Sequence, residues 1–301
     1  METSFVTVVS VAGRVVHDLV AGVVETEPAA LEDLPDGVHH HRTQVRRLRG
    51  ALAAMRDILD AGQSAALEVA LREWGAQLGA VRDGEVRAAF ATAALEESGF
   101  DDERVRARLI DPERAGYDRL HARLVELSRL PRAMHRDAAL REFGRHPALI
   151  EPDADAADVF EKLLRQAARR VRRAARHLDG SMERYHDLRK AGRRLRHLAE
   201  ALTAAAPQLF GEAVEQLADA GKRLHDVLGD HRDEVLFAQL VDRARTHAVR
   251  AGEEPAPYDV MAAAARERAR ERIEQLPAAV RRVRRADQAL PTARELRESL
   301  D

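Results

Sequence analysis

Residues 39–49 read His-His-His-Arg-Thr-Gln-Val-Arg-Arg-Leu-Arg, and residues 186–196 read His-Asp-Leu-Arg-Lys-Ala-Gly-Arg-Arg-Leu-Arg. Both follow H-x-x-R-x-x-x-R-R-L-R, displaced by 147 residues. A second shared string, Leu-Gly-x-x-Arg-Asp, occurs at Leu78–Asp83 and at Leu228–Asp233, displaced by 150, and Arg72 and Lys222 correspond at that same offset. Two motifs in the same order at nearly equal offsets point to a tandem duplication, which restricts the chain to two halves of one architecture. The stretch from His146-Pro147 to Glu151-Pro152 reads as the linker between them. Residues 1–150 and 151–301 are therefore expected to form two domains.

Each half reads as helical. Phe5 to Val24 places Val8, Val11, Val15, Val16, Leu19 and Val23 at helical spacing, and strand-like alternation is confined to the first dozen residues. Pro35-Asp36-Gly37 marks a turn before a helix that runs to about Ala61-Gly62. Ser64 starts another, with a break expected near Asp83-Gly84 and an end at Gly99. Further breaks are expected at Pro112, Pro131, Asp179-Gly180, Pro207, Gly252 to Pro257 and Pro277. With 4% aromatic and 33% charged residues, the composition fits ion-pair-rich helices better than a β-sandwich. The fold class predicted is all-α.

The net charge of −2 conceals segregation. Arg165 to His197 holds 12 basic and 3 acidic residues, and Arg266 to Arg285 holds 8 and 3. Residues 1–150 hold 20 basic and 24 acidic residues, a net charge of −4 against +2 for the remainder, so the second half is expected to carry more of any anion affinity. Segregated charge on a nearly neutral chain points to a local anion-binding surface.

The repeated motif supplies one. On a helix, His39, Arg42, Arg46 and Arg49 fall within about 80° of arc, beside an apolar face of Val45, Leu48, Leu52, Met55 and Leu59. The second copy gives a strip of His186, Arg189, Arg193 and Arg196 beside Leu188, Leu195 and Leu202. Arginine suits such a strip because its planar fork grips phosphate bidentately and its charge does not titrate away. The competing expectation is that these arginines pair with acids on neighbouring helices. Arg72, Arg82, Lys222 and Arg232 could add charge to the same groove, although a purely architectural role for the second motif is as well supported.

Other chemistries have less to stand on. The chain has no cysteine, which removes disulfides, thiol nucleophiles and thiolate zinc sites. The dipeptides His17-Asp18, His186-Asp187 and His225-Asp226 leave an all-helical metal phosphohydrolase as an enzymatic alternative, but helical neighbours diverge by about 100° and each pair needs distant partners. Gly221-Lys222-Arg223 lacks the Ser/Thr of a phosphate loop. Nucleic-acid binding is the harder rival, served by Arg169–Arg173 and Arg281–Arg285, yet aromatics for stacking are few and no reading motif is present. No basic leader and no apolar run of about 18 residues stand out, so a cytoplasmic protein without membrane contact is expected.

The doubled H-x-x-R-x-x-x-R-R-L-R, each copy followed by L-G-x-x-R-D, resembles the CHAD family, the conserved histidine α-helical domain. The acidic stretch Glu25 to Asp36 before His39 resembles it too. The resemblance implies two four-helix bundles related by pseudo-twofold symmetry and a basic groove that binds inorganic polyphosphate. Carried over by motif are His39, Arg42, Arg46, Arg49, His186, Arg189, Arg193 and Arg196, with Arg72, Arg82, Lys222 and Arg232 as further groove residues. No metal ion, no cofactor and no catalytic residue is implied. The Glu-x-Glu-x-Lys signature of the triphosphate-tunnel enzymes that accompany many relatives is absent, so a stand-alone binder is expected; with the polyphosphate binding that the resemblance implies, recruitment to polyphosphate granules is expected as well.

Overall fold

The computed structural model describes residues 6–100 and 102–298; Phe5, where the first helix was expected to begin, lies outside them. Twelve helices follow one another among the described residues: α1 (Val8–Leu31), α2 (Gly37–Ala54), α3 (Ala61–Ser98), α4 (Glu103–Leu109), α5 (Asp111–Ser128), α6 (Pro131–Arg145), α7 (Ala156–Arg176), α8 (Met182–Ala205), α9 (Pro207–Arg250), α10 (Ala256–Glu274), α11 (Leu276–Ala289) and α12 (Ala293–Glu298).

Helix boundaries follow local chemistry. The carboxylates of Asp102 and Asp155 accept from the backbone N–H of Arg104 at 2.8 Å and Ala157 at 2.7 Å, satisfying donors that the first turns of α4 and α7 leave open. Gly99, Gly180 and Gly252 carry φ of +73°, +84° and +74° after α3, α7 and α9, the left-handed region that glycine enters without cost from a side chain. The break expected at Asp83-Gly84 does not occur: α3 runs through it. One helical glycine costs only about 1 kcal/mol, less than the packing of the buried Val81, Ala88, Ala91 and Leu95 around it returns. Among the described residues the early strand-like alternation reduces to one bridge between Thr7 and Asp155, and the helix after Pro35 ends at Ala54 instead of reaching Ala61.

Two compact units emerge, and each draws on both halves of the chain. The first comprises Met1–Gly75, Arg129–Asp226 and Pro277–Asp301; the second comprises Ala76–Ser128 and Val227–Leu276. The units therefore do not coincide with 1–150 and 151–301. In the first, α1 packs against α2, α6, α7 and α8, α2 against α8, and α7 against α8. Its core takes Val11, Val15 and Val16 from α1, Val45, Leu48 and Leu52 from α2, and Leu188, Leu195 and Leu202 from α8, all 2% exposed or less. Met55 and Leu59 are buried as expected, but beyond the end of α2. Val8 N–H donates to Ala154 O and Ala156 N–H to Val6 O, both at 2.9 Å, tying the start of α1 to the start of α7. In the second unit, Leu95, Val105, Leu109, Phe237, Val241, Tyr258 and Met261 form the core, and Arg108 grips Glu253 with two bonds of 2.7 and 2.6 Å.

The approach of α2 to α8 is set by Gly50. A Cβ on Gly50 would sit 2.3 Å from Nδ1 of His197, a ring that is 4% exposed and has no room to retreat. Gly50→Ala is expected to cost about 1–3 kcal/mol through this overpacking. Gly13→Ala, where an added Cβ meets nothing within 4 Å, should cost nothing or stabilise slightly. Thermal melts of the two variants check the difference; equal melting temperatures would contradict the contact.

Candidate functional site

The first copy of the motif lies on α2 and the second on α8, so their packing brings two arginine rows into one unit. A cleft of about 240 Å³ opens there. Arg42, Arg46, Arg49 and Arg56 of the α2 region, Arg72 of α3, and Arg193 and Arg194 of α8 line it, with Glu68 as the one carboxylate. Val45, Gly50, Ala53 and Gly75 complete the lining and leave space between the arginine stems. Glu68 is already engaged, accepting from Arg56 Nη2 at 2.7 Å.

The arginines act on one another. Burial and then the charges of Arg42, Arg193, Arg189 and Arg196 push the Arg46 guanidinium down to about 10. Burial and then Arg189, Arg49, Arg194 and Arg42 do the same to Arg193. Arg49 is lowered by burial and by Arg72, with Glu68 opposing. All stay charged at neutral pH. Arg46 Nε is buried and finds no hydrogen-bond partner among the described residues. The cleft thus holds several cations and little to neutralise them.

Not every predicted strip residue shares this environment. Arg42, Arg46, Arg49, Arg72 and Arg193 line the cleft, whereas His39, His186, Arg189, Arg196 and Lys222 are not among its lining residues. Arg196 donates to Glu200 at 2.6 Å and lies 4.0 Å from Asp226, which also accepts from Lys222 at 2.6 Å. Arg196 meets the expectation of a pair with a neighbouring helix only through Asp226 of α9, since Glu200 lies on its own helix and Lys222 and Asp226 share α9. Arg82 and Arg232 belong to the second unit, where Arg82 pairs with Glu85 at 2.5 Å and Arg232 with Asp233 at 3.3 Å. Arg56 and Arg194 escaped the sequence reading: Arg56 follows the motif, and Arg194 lies off its helical strip.

The histidines divide by burial. His186 is exposed, and desolvation with the Lys190, Arg189 and Arg193 charges holds it below its ordinary value. His41 is fully buried: Trp74 Nε1–H donates to its Nε2 at 2.8 Å, leaving the ring proton on Nδ1, 3.0 Å from Thr26 Oγ1. Arg136 stacks 4.2 Å above Trp74 and donates to Glu27 at 2.5 Å, so this network anchors α2 from beneath. His197 and His225 are buried beside the arginines, with Nδ1 of His197 unpartnered among the described residues. Asp226 is held at about 2: burial raises it, and the His225 ring at 3.6 Å and the Lys222 ammonium at 2.6 Å outweigh that.

These histidines give the fold a pH dependence of known sign. Burial, with Arg136 for His41 and with Arg189 and Arg46 for His225, lowers each from 6.5 to about 4; His197 is lowered in the same direction. The unfolded chain therefore binds more protons between those limits. Their contribution is complete above pH 6.5 and lost as the pH falls toward 4, about 3 kcal/mol each for His41 and His225. Urea melts across this window should show stability falling with acidification before the carboxylates titrate; a flat profile would contradict neutral buried rings.

The mutual repulsion predicts an unusual response to truncation. Arg193→Met keeps the apolar stem and removes one charge, so the unliganded chain should melt at the same temperature or about 2 °C higher. A fall of several degrees would mean that Arg193 is a structural residue.

The CHAD domain family matches residues 14–242 of this chain. Two uncharacterized proteins of Mycobacterium tuberculosis, from strains CDC 1551 / Oshkosh and ATCC 25618 / H37Rv, are each 28% identical over 94% of this chain. The chain spans 54% of their length, so it matches about half of each. Among solved structures, PptA from Streptomyces chartreusis aligns with a TM-score of 0.68 at 17% identity, over 93% of this chain and 98% of that one. The CHAD domain from the plant Ricinus communis aligns with a TM-score of 0.64 at 20% identity, over 97% of both chains. These likenesses carry the all-α fold. Among the described residues no helix is long and apolar enough to cross a membrane.

Proposed function

The chain belongs to the CHAD family, and on that premise we propose that its arginine cleft binds inorganic polyphosphate without hydrolysing it, as part of a protein that associates with polyphosphate granules. The observation that carries this reading is the convergence of seven arginines on one cleft with a single, already engaged carboxylate. Such a cluster is destabilising by itself: two guanidinium groups about 5 Å apart repel by roughly 3 kcal/mol at an effective dielectric constant of 20. A polyanion turns that repulsion into attraction, and each phosphate presents oxygens that match the guanidinium fork.

Inorganic polyphosphate fits the cleft better than duplex DNA does. It carries about one charge per phosphate, has no sugar or base between neighbours, and bends freely enough to enter a space of about 240 Å³. A duplex is too wide to enter and would touch only the rim. The proposed role is binding without hydrolysis, and the cleft's guanidinium groups, protonated at neutral pH, offer no general base. Gln for Arg at 46 and 193 together is expected to weaken polyphosphate binding on the order of 100-fold, since hydrogen bonds to charged groups are worth about 1.5–3 kcal/mol each. Fluorescence anisotropy with labelled polyphosphate at fixed salt, with duplex DNA as competitor, tests this. Undiminished affinity in the double variant, or displacement of polyphosphate by DNA at equal phosphate, would overturn the reading.

A further inference from the structure

We infer that the anion does not end in the arginine cleft but continues into a second binding cleft between α7 and α8, which makes affinity depend on chain length. This rests on the polyphosphate reading of the first cleft. The second cleft, of about 140 Å³, is floored by Ala54, Ala167 and Ala191 and rimmed by Arg170, Lys190, Arg194 and Asp187. Arg194 lines both clefts, so the two spaces have one residue in common.

The rim has the character of a landing site for phosphate. Arg170 and Arg194 are exposed, and neither forms an ion pair or hydrogen bond with the described residues. Asp187 is the one acid; it lies 3.2 Å from Lys190 Nζ and 4.0 Å from Arg184 Nη1, leaving the rim with a surplus of two positive charges. Lys190 is 42% exposed, so its ammonium can turn from Asp187 to an incoming phosphate. The three small alanines keep the floor low and let an anionic chain lie close to the backbone. Arg173, exposed and one helical turn beyond Arg170 on α7, continues the row outward. The helical strip did not point here: Arg170 lies outside the repeated motif, Lys190 is one of its variable positions, and Arg194, though a fixed position of it, lies off the strip.

A chain held in the first cleft presents its next phosphates to the second at high effective concentration, so long chains gain affinity that short ones cannot. Tripolyphosphate occupies the first cleft alone. The test compares long-chain polyphosphate with tripolyphosphate on the full chain, before and after Arg170→Gln with Lys190→Gln. Long-chain affinity should fall about tenfold and its salt slope by roughly 1 to 2, while tripolyphosphate affinity stays as it was. Arg170→Glu alone should reproduce the long-chain loss, and circular dichroism checks that both variants are folded. Unchanged long-chain affinity, or equal loss for both ligands, overturns the second cleft. If the unsubstituted chain binds neither ligand, the first-cleft reading fails and this inference with it; if Arg46→Gln with Arg193→Gln loses both ligands while the outer variant loses neither, only the second cleft falls.

Discussion

Like-charge repulsion between α2 and α8 is the interaction around which this structure is arranged. Arg46 and Arg193 each lose basicity first to burial and then to neighbouring arginines on their own helix and on the other's. Helices that carry such rows would separate in water unless something else held them. The opposing force is chiefly apolar: Leu48 and Leu52 on α2, Leu195 and Leu202 on α8, and Val11, Val15 and Val16 of α1 are all but sealed from solvent, and Arg47 of α2 adds an ion pair 3.7 Å from Glu200 of α8. Burying a side chain of that size is worth about 1.5–3 kcal/mol, so a handful outweighs the repulsion of the few arginine pairs. The cleft is thus a stressed site held by a core that does not share its chemistry.

Much of this was legible in the sequence. The 3.6-residue period separates Val45, Leu48 and Leu52 from Arg42, Arg46 and Arg49, and the structure buries the first set while placing the second along the cleft. The repeat reports that two such rows exist. Illegible were the features set by tertiary neighbours. Arg196 sits on the predicted strip, yet Glu200 lies one turn away on the same helix and Asp226 reaches it from α9, so its charge is engaged. Arg194, off the strip, lines the cleft because α2 lies beside α8.

The repeat divides the chain near residue 150, while each compact unit takes segments from both sides of that point, and α3 and α9 each contribute to both. Net charge per half does not locate the cleft. Five of the cleft's seven arginines come from residues 1–150, the half that is acidic overall. Its acids sit mostly elsewhere, for instance between Glu25 and Asp36. Local placement decides an electrostatic site, and a sum over a domain does not report it.

The central claim is that the arginines of α2 and α8 converge to hold phosphate. A crystal structure of the chain with bound linear polyphosphate tests it most directly. Phosphate groups should lie between Arg46 and Arg193, within hydrogen-bond distance of both guanidinium groups, with Arg46 Nε now donating. An unfilled cleft, with phosphate bound elsewhere on the protein, would contradict the account.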